Sequence, residues 1–168
     1  MAEINERDSA RIAARRRREH YNIFARLPAI YAASRKQGQH LLQMSGGLSI
    51  VEWRVLWDLY EAGPMTIKDL ALMQRADHSL LSRALPEIRR KGYVTMQRSE
   101  TDSRQTVVEI SQAGRRAYDR AAPIMARRRA ALKEVYSAEE LVDFVNYLDR
   151  LDLFLQAPIE ESAAKDQR

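Results

Sequence analysis

Between residues 20 and 156 the chain alternates stretches whose apolar side chains recur at helical spacing with short polar breaks, and this alternation marks out the elements. From His20 to about Met44, Leu27, Tyr31 and Leu41, with Phe24 and Ile30 alongside, predict a first long helix, which Gly46-Gly47 ends. Ser49-Ile50-Val51-Glu52 has the form of a capping box, in which hydroxyl and carboxylate satisfy backbone N–H groups that a helix start leaves unpaired. The helix it opens, about Ile50–Glu61, is apolar on more than one face (Val51, Trp53, Val55, Leu56, Trp57, Leu59) and is expected to be largely buried. Gly63-Pro64 stops it, Met65 reads as one short strand, and Thr66-Ile67-Lys68-Asp69 starts a short helix through Leu70, Ala71 and Met73.

After a polar break at Gln74–Asp77, Asp77 caps a helix to about Lys91 whose apolar side is Leu81, Ala84, Leu85 and Ile88. At 100° per residue Ser79, Ser82, Arg83, Pro86 and Arg90 point away from that side. Two short helices around a tight polar turn are what a helix-turn-helix requires; an ordinary solvated face is the alternative for this stretch taken alone. Gly92 closes the helix, Tyr93–Gln97 and Gln105–Ile110 read as strands, and the wholly polar Arg98–Arg104 joins them. That tip is longer than a chain reversal needs. In it, Asp102 is close enough in sequence to Arg98 and Arg104 to hold a guanidinium, and an arginine fixed at a loop tip suits a narrow minor groove. Ser111 caps a helix to about Val135, in which Pro123 predicts a kink. Ser137-Ala138-Glu139-Glu140 is a third capping box, and its helix runs to about Gln156 through Leu141, Phe144, Val145, Leu148, Leu151 and Leu155. Residues 157–168 read as a disordered tail.

Charge sharpens this outline. Residues 1–136 carry 25 basic and 15 acidic side chains, a net of +10, whereas 137–168 carry 3 and 8, a net of −5. Such a field recruits polyanions, nucleic acid first and a membrane surface second. The polar arm 1–19, with Arg11 and the run Arg15, Arg16, Arg17, Arg18, is either a solvated helix extension or a phosphate-contacting segment. The absence of cysteine excludes disulfide scaffolds, thiol nucleophiles and thiolate metal sites and is consistent with a reducing compartment. No stretch approaches a membrane span and no apolar signal segment opens the chain, so a cytoplasmic protein is expected. His20, His40 and His78 lack metal-ligand spacing, and neither a Gly-rich phosphate loop nor G-x-S-x-G occurs. We therefore expect no enzyme and no cofactor.

The order of elements, with Lys91-Gly92-Tyr93-Val94, then Arg98-Ser99-Glu100-Thr101-Asp102-Ser103-Arg104, then Val107-Val108-Glu109-Ile110-Ser111-Gln112-Ala113-Gly114, resembles the MarR (multiple antibiotic resistance regulator) family of bacterial transcription factors. The resemblance covers roughly 21–156 and is most specific from Lys91 to Gly114. It implies a mainly α fold with a small β-hairpin wing: a winged helix-turn-helix lobe at 49–111 and a helical dimerisation region at 20–48 and 112–156. It implies a homodimer on a pseudo-palindromic double-stranded DNA operator, usually repressive and released by a small ligand. Ser79, Ser82 and Arg83 then fall on the recognition helix, Arg104 on the wing arginine and Asp102 on the aspartate that orients it. Ser103 stands where arginine is commoner, Ile110-Ser111 stands for Leu-Thr, and Pro86 is expected to bend or loosen the recognition helix.

From the residues, Arg75, Arg89, Arg90, Lys91 and Arg98 are expected phosphate contacts, with Arg15–Arg18 as further candidates, and Arg83 is the expected base contact. The last helix carries more apolar surface than one packed face needs, and the first is similar, which argues for a twin. Tyr31, His40, Trp53, Arg54 and Trp57 are candidate lining for an effector with a carboxylate or phenolate; the alternative is that the tryptophans are core. A basic helical module on an anionic membrane or a protein partner is the competing function.

Overall fold

The computed structural model describes residues 2–99, 102 and 104–158, with side chains from residue 9 onward. In chain order the elements are α1 (Ala2–His20), α2 (Ile23–Met44), α3 (Ile50–Ala62), β1 (Met65–Thr66), α4 (Ile67–Met73), α5 (His78–Arg90), β2 (Val94–Arg98), β3 (Thr106–Ile110), α6 (Gln112–Ala130) with a 3-10 turn at Ala131–Glu134, and α7 (Ala138–Gln156). All three capping boxes form: Ser49 with Glu52, Thr66 with Asp69 and Ser137 with Glu140. The fold is mainly helical, with a small antiparallel sheet in the order β1-β3-β2. Met65 opposes Val108 and Met96 opposes Val108 from the other side, so β3 is the central strand.

Two details depart from the sequence expectation. The first helical stretch breaks at Tyr21-Asn22, because the Asn22 side chain accepts the N–H of Ala25 and starts a new helix there. The α-helix after Ser111 ends at Ala130 rather than near Val135, its last turn tightening to 3-10 geometry. Three helices run through an internal proline: α2 through Pro28, α5 through the exposed Pro86 and α6 through Pro123. The tail expected beyond 158 lies outside the described residues.

Backbone contacts group the chain into two compact units, Met1–Met125 and Ala126–Arg168. The core of the first is built from Leu42, Leu48, Trp53, Leu56, Leu59, Leu70, Leu81, Leu85, Ile88, Val94, Val108 and Ala121, contributed by α2 through α6. Gln39 ties α2 to the start of α3, its amide donating to the Leu48 carbonyl and accepting the N–H of Ile50. The second unit holds the end of α6 and α7; there Tyr136 and Phe144 stack with ring centres 6.3 Å apart, and no side chain of α7 is buried.

Two features fix α5 against its surroundings. At its C-terminus the Gly92 N–H meets the Arg89 carbonyl and the Tyr93 N–H meets that of Ile88, a Schellman closure that needs the positive φ of Gly92 (75°). Lys91, the last residue before that glycine, donates from Nζ to Glu52 Oε1 at 2.6 Å. Glu52 is 4% exposed and sits in the first turn of α3, so the pair joins the positive end of one helix dipole to the negative end of another. Burial pushes the Glu52 carboxyl up, but the hydrogen bonds from Lys91 and from the Ser49 N–H outweigh it and hold the group below its ordinary range. Lys91 is correspondingly raised by the hydrogen bond to Glu52.

Past β3, the Ser111 hydroxyl donates to the Gly92 carbonyl at 2.6 Å and accepts the Gly114 N–H at 3.0 Å, drawing the first turn of α6 against the end of α5. The approach is so close that a Cβ on Gly114 would lie 2.1 Å from the Tyr93 carbonyl oxygen.

Gly114→Ala is therefore expected to cost about 3 kcal/mol, roughly 6–12 °C in melting midpoint, and an unchanged midpoint by calorimetry would contradict the packing described. Glu52→Gln is expected to lower stability at pH 7 by about 1–3 kcal/mol. Because the Glu52 pKa is depressed by folding, its contribution is present above the unfolded carboxyl range and fades as pH falls through the folded value. The gap between variant and wild type in denaturant titrations must therefore narrow below about pH 4; a gap that stays constant down to pH 3 rules the clamp out.

Candidate nucleic-acid interface

The turn between α4 and α5 is shaped by backbone closure and by two side chains of α3. The Arg75 N–H meets the Leu72 carbonyl and the Ala76 N–H meets that of Ala71, the same Schellman pattern that ends α5. Arg75, however, occupies the left-handed position usually given to glycine, with φ 48°. Before it, the buried Gln74 donates to Asp58 at 2.7 Å, and its main-chain carbonyl accepts from the Arg54 guanidinium. Burial pushes the Asp58 carboxyl up against the lowering influence of Gln74 and Arg54. Arg54, a candidate effector residue from sequence, is thus committed to holding this turn.

Asp77 begins α5, accepting both the N–H and the hydroxyl of Ser79 at 2.7 Å. The hydroxyl bond, then the backbone bond, and the nearby Arg83 keep its carboxyl below the usual range. Arg83 Nε donates to the Ser79 carbonyl at 3.1 Å, which turns the guanidinium back along the helix toward its N-terminus, and the side chain is exposed. The half-buried Ser82 hydroxyl lies 3.3 Å from His78 Nδ1. Ser79, Arg83, Pro86 and Arg90 all lie on the exposed side of α5, opposite Leu81, Leu85 and Ile88, as the spacing predicted.

Two expected phosphate contacts turn out to be engaged within the fold. Lys91 holds Glu52, as above, and Arg90 makes a bidentate pair with Glu87 one turn earlier, at 2.7 Å and 2.6 Å. The pair raises the Arg90 pKa and lowers that of Glu87, and with both side chains exposed it is a weak surface pair. Charge count alone identified both residues and took no account of the neighbouring carboxylates.

The strands β2 and β3 carry the wing. At its base the Ser99 N–H meets the Gln105 carbonyl at 3.0 Å. Asp102 accepts the main-chain N–H of Arg104 at 3.0 Å and the Gln105 amide at 3.0 Å, while its own N–H meets the Ser99 hydroxyl. Asp102 therefore meets Arg104 through the main chain and not through its guanidinium. Arg98 and Arg104 are exposed on either side of the loop. Glu100, Thr101 and the substituted Ser103 lie outside the described residues. Ser99 and Gln105, which complete the loop, were not identified from sequence, because a polar residue in a polar tip carries no periodic signal.

The remaining effector candidates have different surroundings. Trp53 is 2% exposed and stacks between Trp57 (6.0 Å) and Tyr118 (5.2 Å), and Tyr118 stacks on Tyr60 (4.1 Å). Trp53 is thus a core residue, as the alternative reading of the tryptophans had it, and Trp57 is the half-buried end of the same stack. Tyr31 and His40 are exposed on α2. No group of three or more His, Asp or Glu among the described residues could hold a metal ion, and no described helix is long and apolar enough to cross a membrane.

Comparison with known proteins places this geometry. The MarR family model matches residues 48–106, from the approach to α3 to the start of β3. No curated protein matches the chain significantly. Among solved structures, a MarR/EmrR family transcriptional regulator from Acinetobacter sp. ADP1 is 17% identical with a TM-score of 0.73, covering 82% of this chain and 96% of that one. Sco3205, a MarR family regulator from Streptomyces coelicolor solved in complex with DNA, is 21% identical with a TM-score of 0.68, covering 80% and 87%. The PcaV transcriptional regulator of the same organism, solved with its natural ligand, is 15% identical with a TM-score of 0.68, covering 80% and 94%. At these identities the structural likeness speaks for the fold, and the family match speaks for the lobe that holds α3 to β3. Residues 48 to 106 match the MarR family model, and the chain has the winged helix-turn-helix fold of the MarR transcriptional regulators.

Proposed function

We propose that this protein is a homodimeric transcriptional regulator that binds a pseudo-palindromic operator in double-stranded DNA, α5 entering the major groove and the wing tip the flanking minor groove. The observation that carries the reading is the exposed face of α5: an apolar stripe seated in the core leaves Ser79 and Arg83 exposed and Ser82 half-buried beside them, with Arg83 anchored at Nε on the Ser79 carbonyl. Arg75, Arg90, Arg98 and Arg104 supply backbone and minor-groove contacts, the exposed Arg90–Glu87 pair being weak enough to yield to a phosphate, and Lys91, held on Glu52, contributes less. Solution of the similar Sco3205 in complex with DNA supports the assignment. The reading gives the chain no catalytic step.

Dimerisation is supported by α7, a capped helix of 19 residues with none buried, on which Phe144, Val145, Tyr147, Leu148, Phe154 and Leu155 are exposed. An apolar surface of that extent needs a partner, and a second copy offers the same face about a two-fold axis. We further propose that the dimer represses transcription and is released by a small carboxylate or phenolate ligand, with Tyr31, His40 and Trp57 among the residues that meet it. Support comes from the PcaV structure holding its natural ligand. A 100-fold effect on operator affinity needs an effector preference of only about 2.7 kcal/mol for the released conformation.

On duplexes enriched from a random pool by the wild-type chain, Arg83→Ala is expected to cost about 1–3 kcal/mol on preferred sequences and little on random ones. Arg104→Ala is expected to weaken binding with its sequence effect confined to A/T flanks; equal losses for both variants on every duplex would refute the assignment of roles. Arg75→Gly relieves a left-handed arginine, so its melting midpoint is expected to rise by about 1–3 °C while duplex affinity falls; a gain of affinity would remove Arg75 from the interface. Phe144→Glu with Leu148→Glu is expected to convert dimer to monomer in light scattering at micromolar concentration, and an unaltered mass would show that α7 is not the seam.

A further inference from the structure

The N-terminal helix lies outside the residues that match the family model. It is nevertheless joined to α2 by a tightly bonded elbow. The Asn22 N–H meets the Glu19 carbonyl at 3.0 Å, its amide donates to the Glu19 carboxylate at 3.2 Å, and its Oδ1 caps α2. From the far side Arg26 Nε donates to the His20 carbonyl at 2.8 Å, and its terminal nitrogen lies 2.8 Å from His20 Nδ1. A solvated extension needs no such joint, since side-chain bonds across a helix break serve to hold one helix at a set angle to the next.

The elbow presents charge. Between Ser9 and His20 there are five arginines against one glutamate, and Arg15 to Arg18 are all exposed. Arg11, Arg15 and Arg18 share one face at i, i+4, i+7 over about 10 Å of helix, with Arg16 and Arg17 on the other sides. Arg15 pairs with Glu19 at 2.6 Å, but its side chain is 67% exposed, and surface pairs of this kind are weak and yield to a phosphate. The same helix is poor in the large apolar side chains with which an interfacial helix enters a bilayer: Ile12 is the one such residue between Ser9 and His20. The chemistry fits an array of phosphates on a rigid rod better than a lipid surface.

We propose that α1 is a second DNA-gripping element, an arginine arm held by the Asn22–Arg26 elbow that neutralises backbone phosphates in the duplex beyond the operator half-sites. This rests on the DNA-binding reading above and extends it from sequence recognition to an added, sequence-independent grip.

The test compares the wild-type chain with a variant carrying Arg15→Gln, Arg16→Gln, Arg17→Gln and Arg18→Gln, which keeps helix-forming residues. Binding is measured over a salt series to an enriched duplex, bare and with about one and a half helical turns of added DNA on each side. On the longer duplex the variant is expected to lose at least tenfold in affinity and about 3 from the slope of log K against log salt, with little change on the short one. An elbow variant, Asn22→Ala with Arg26→Ala, is expected to lose severalfold on the longer duplex although every arm arginine is retained. Equal slopes for wild type and the arginine variant on both duplexes overturn the arm while leaving the lobe's DNA binding intact. A wild-type chain that binds neither duplex overturns both readings. Loss of binding to phosphatidylserine vesicles in the variant, with duplex affinity unchanged, assigns α1 to membranes and overturns the proposal.

Discussion

The seating of one short helix governs the rest of this molecule. Leu81, Leu85 and Ile88 of α5 are buried in the core shared with α3, α4 and the sheet, and they leave the opposite face, with Ser79 and Arg83, no interior place to go. Burying three such side chains contributes roughly 5–9 kcal/mol before opposing entropy, more than any surface pair in the chain supplies. The polar bonds around α5 then fix its ends rather than its face: Asp77 and Ser79 at the start, Gly92 and the Lys91–Glu52 clamp at the finish. A recognition element has to be placed this rigidly, since a base contact displaced by an ångström loses most of its discrimination.

Hydrophobic periodicity and capping motifs carry much of the fold. The capping boxes at Ser49, Thr66 and Ser137, the stripe on α5 and the short strand at Met65 are all legible because each depends on residues within one turn of one another. The break at Asn22 was not legible, since an asparagine inside a continuing apolar pattern reads as a tolerated helix residue. Pro86 sits on the exposed side of α5, and the helix continues through it.

What the sequence hides is which charges are already engaged. Lys91 and Arg54 look like any other basic residues, yet Glu52 and the Gln74 carbonyl hold them, and these partners lie 39 and 20 residues away. Asp102 meets Arg104 through its main-chain N–H, a choice of atoms that spacing alone does not show. Trp53 shows the same limit: an aromatic at helical spacing serves a core or a pocket equally well until the stack from Trp57 to Tyr60 is in view.

The account as a whole requires that two copies present two α5 helices to successive major grooves. Its most direct test is the symmetry of the sequence that the purified chain enriches from a pool of random duplexes. The account predicts a two-fold consensus with half-site centres about 10 base pairs apart. A single asymmetric site, or no enrichment above a duplex of random sequence, would contradict it.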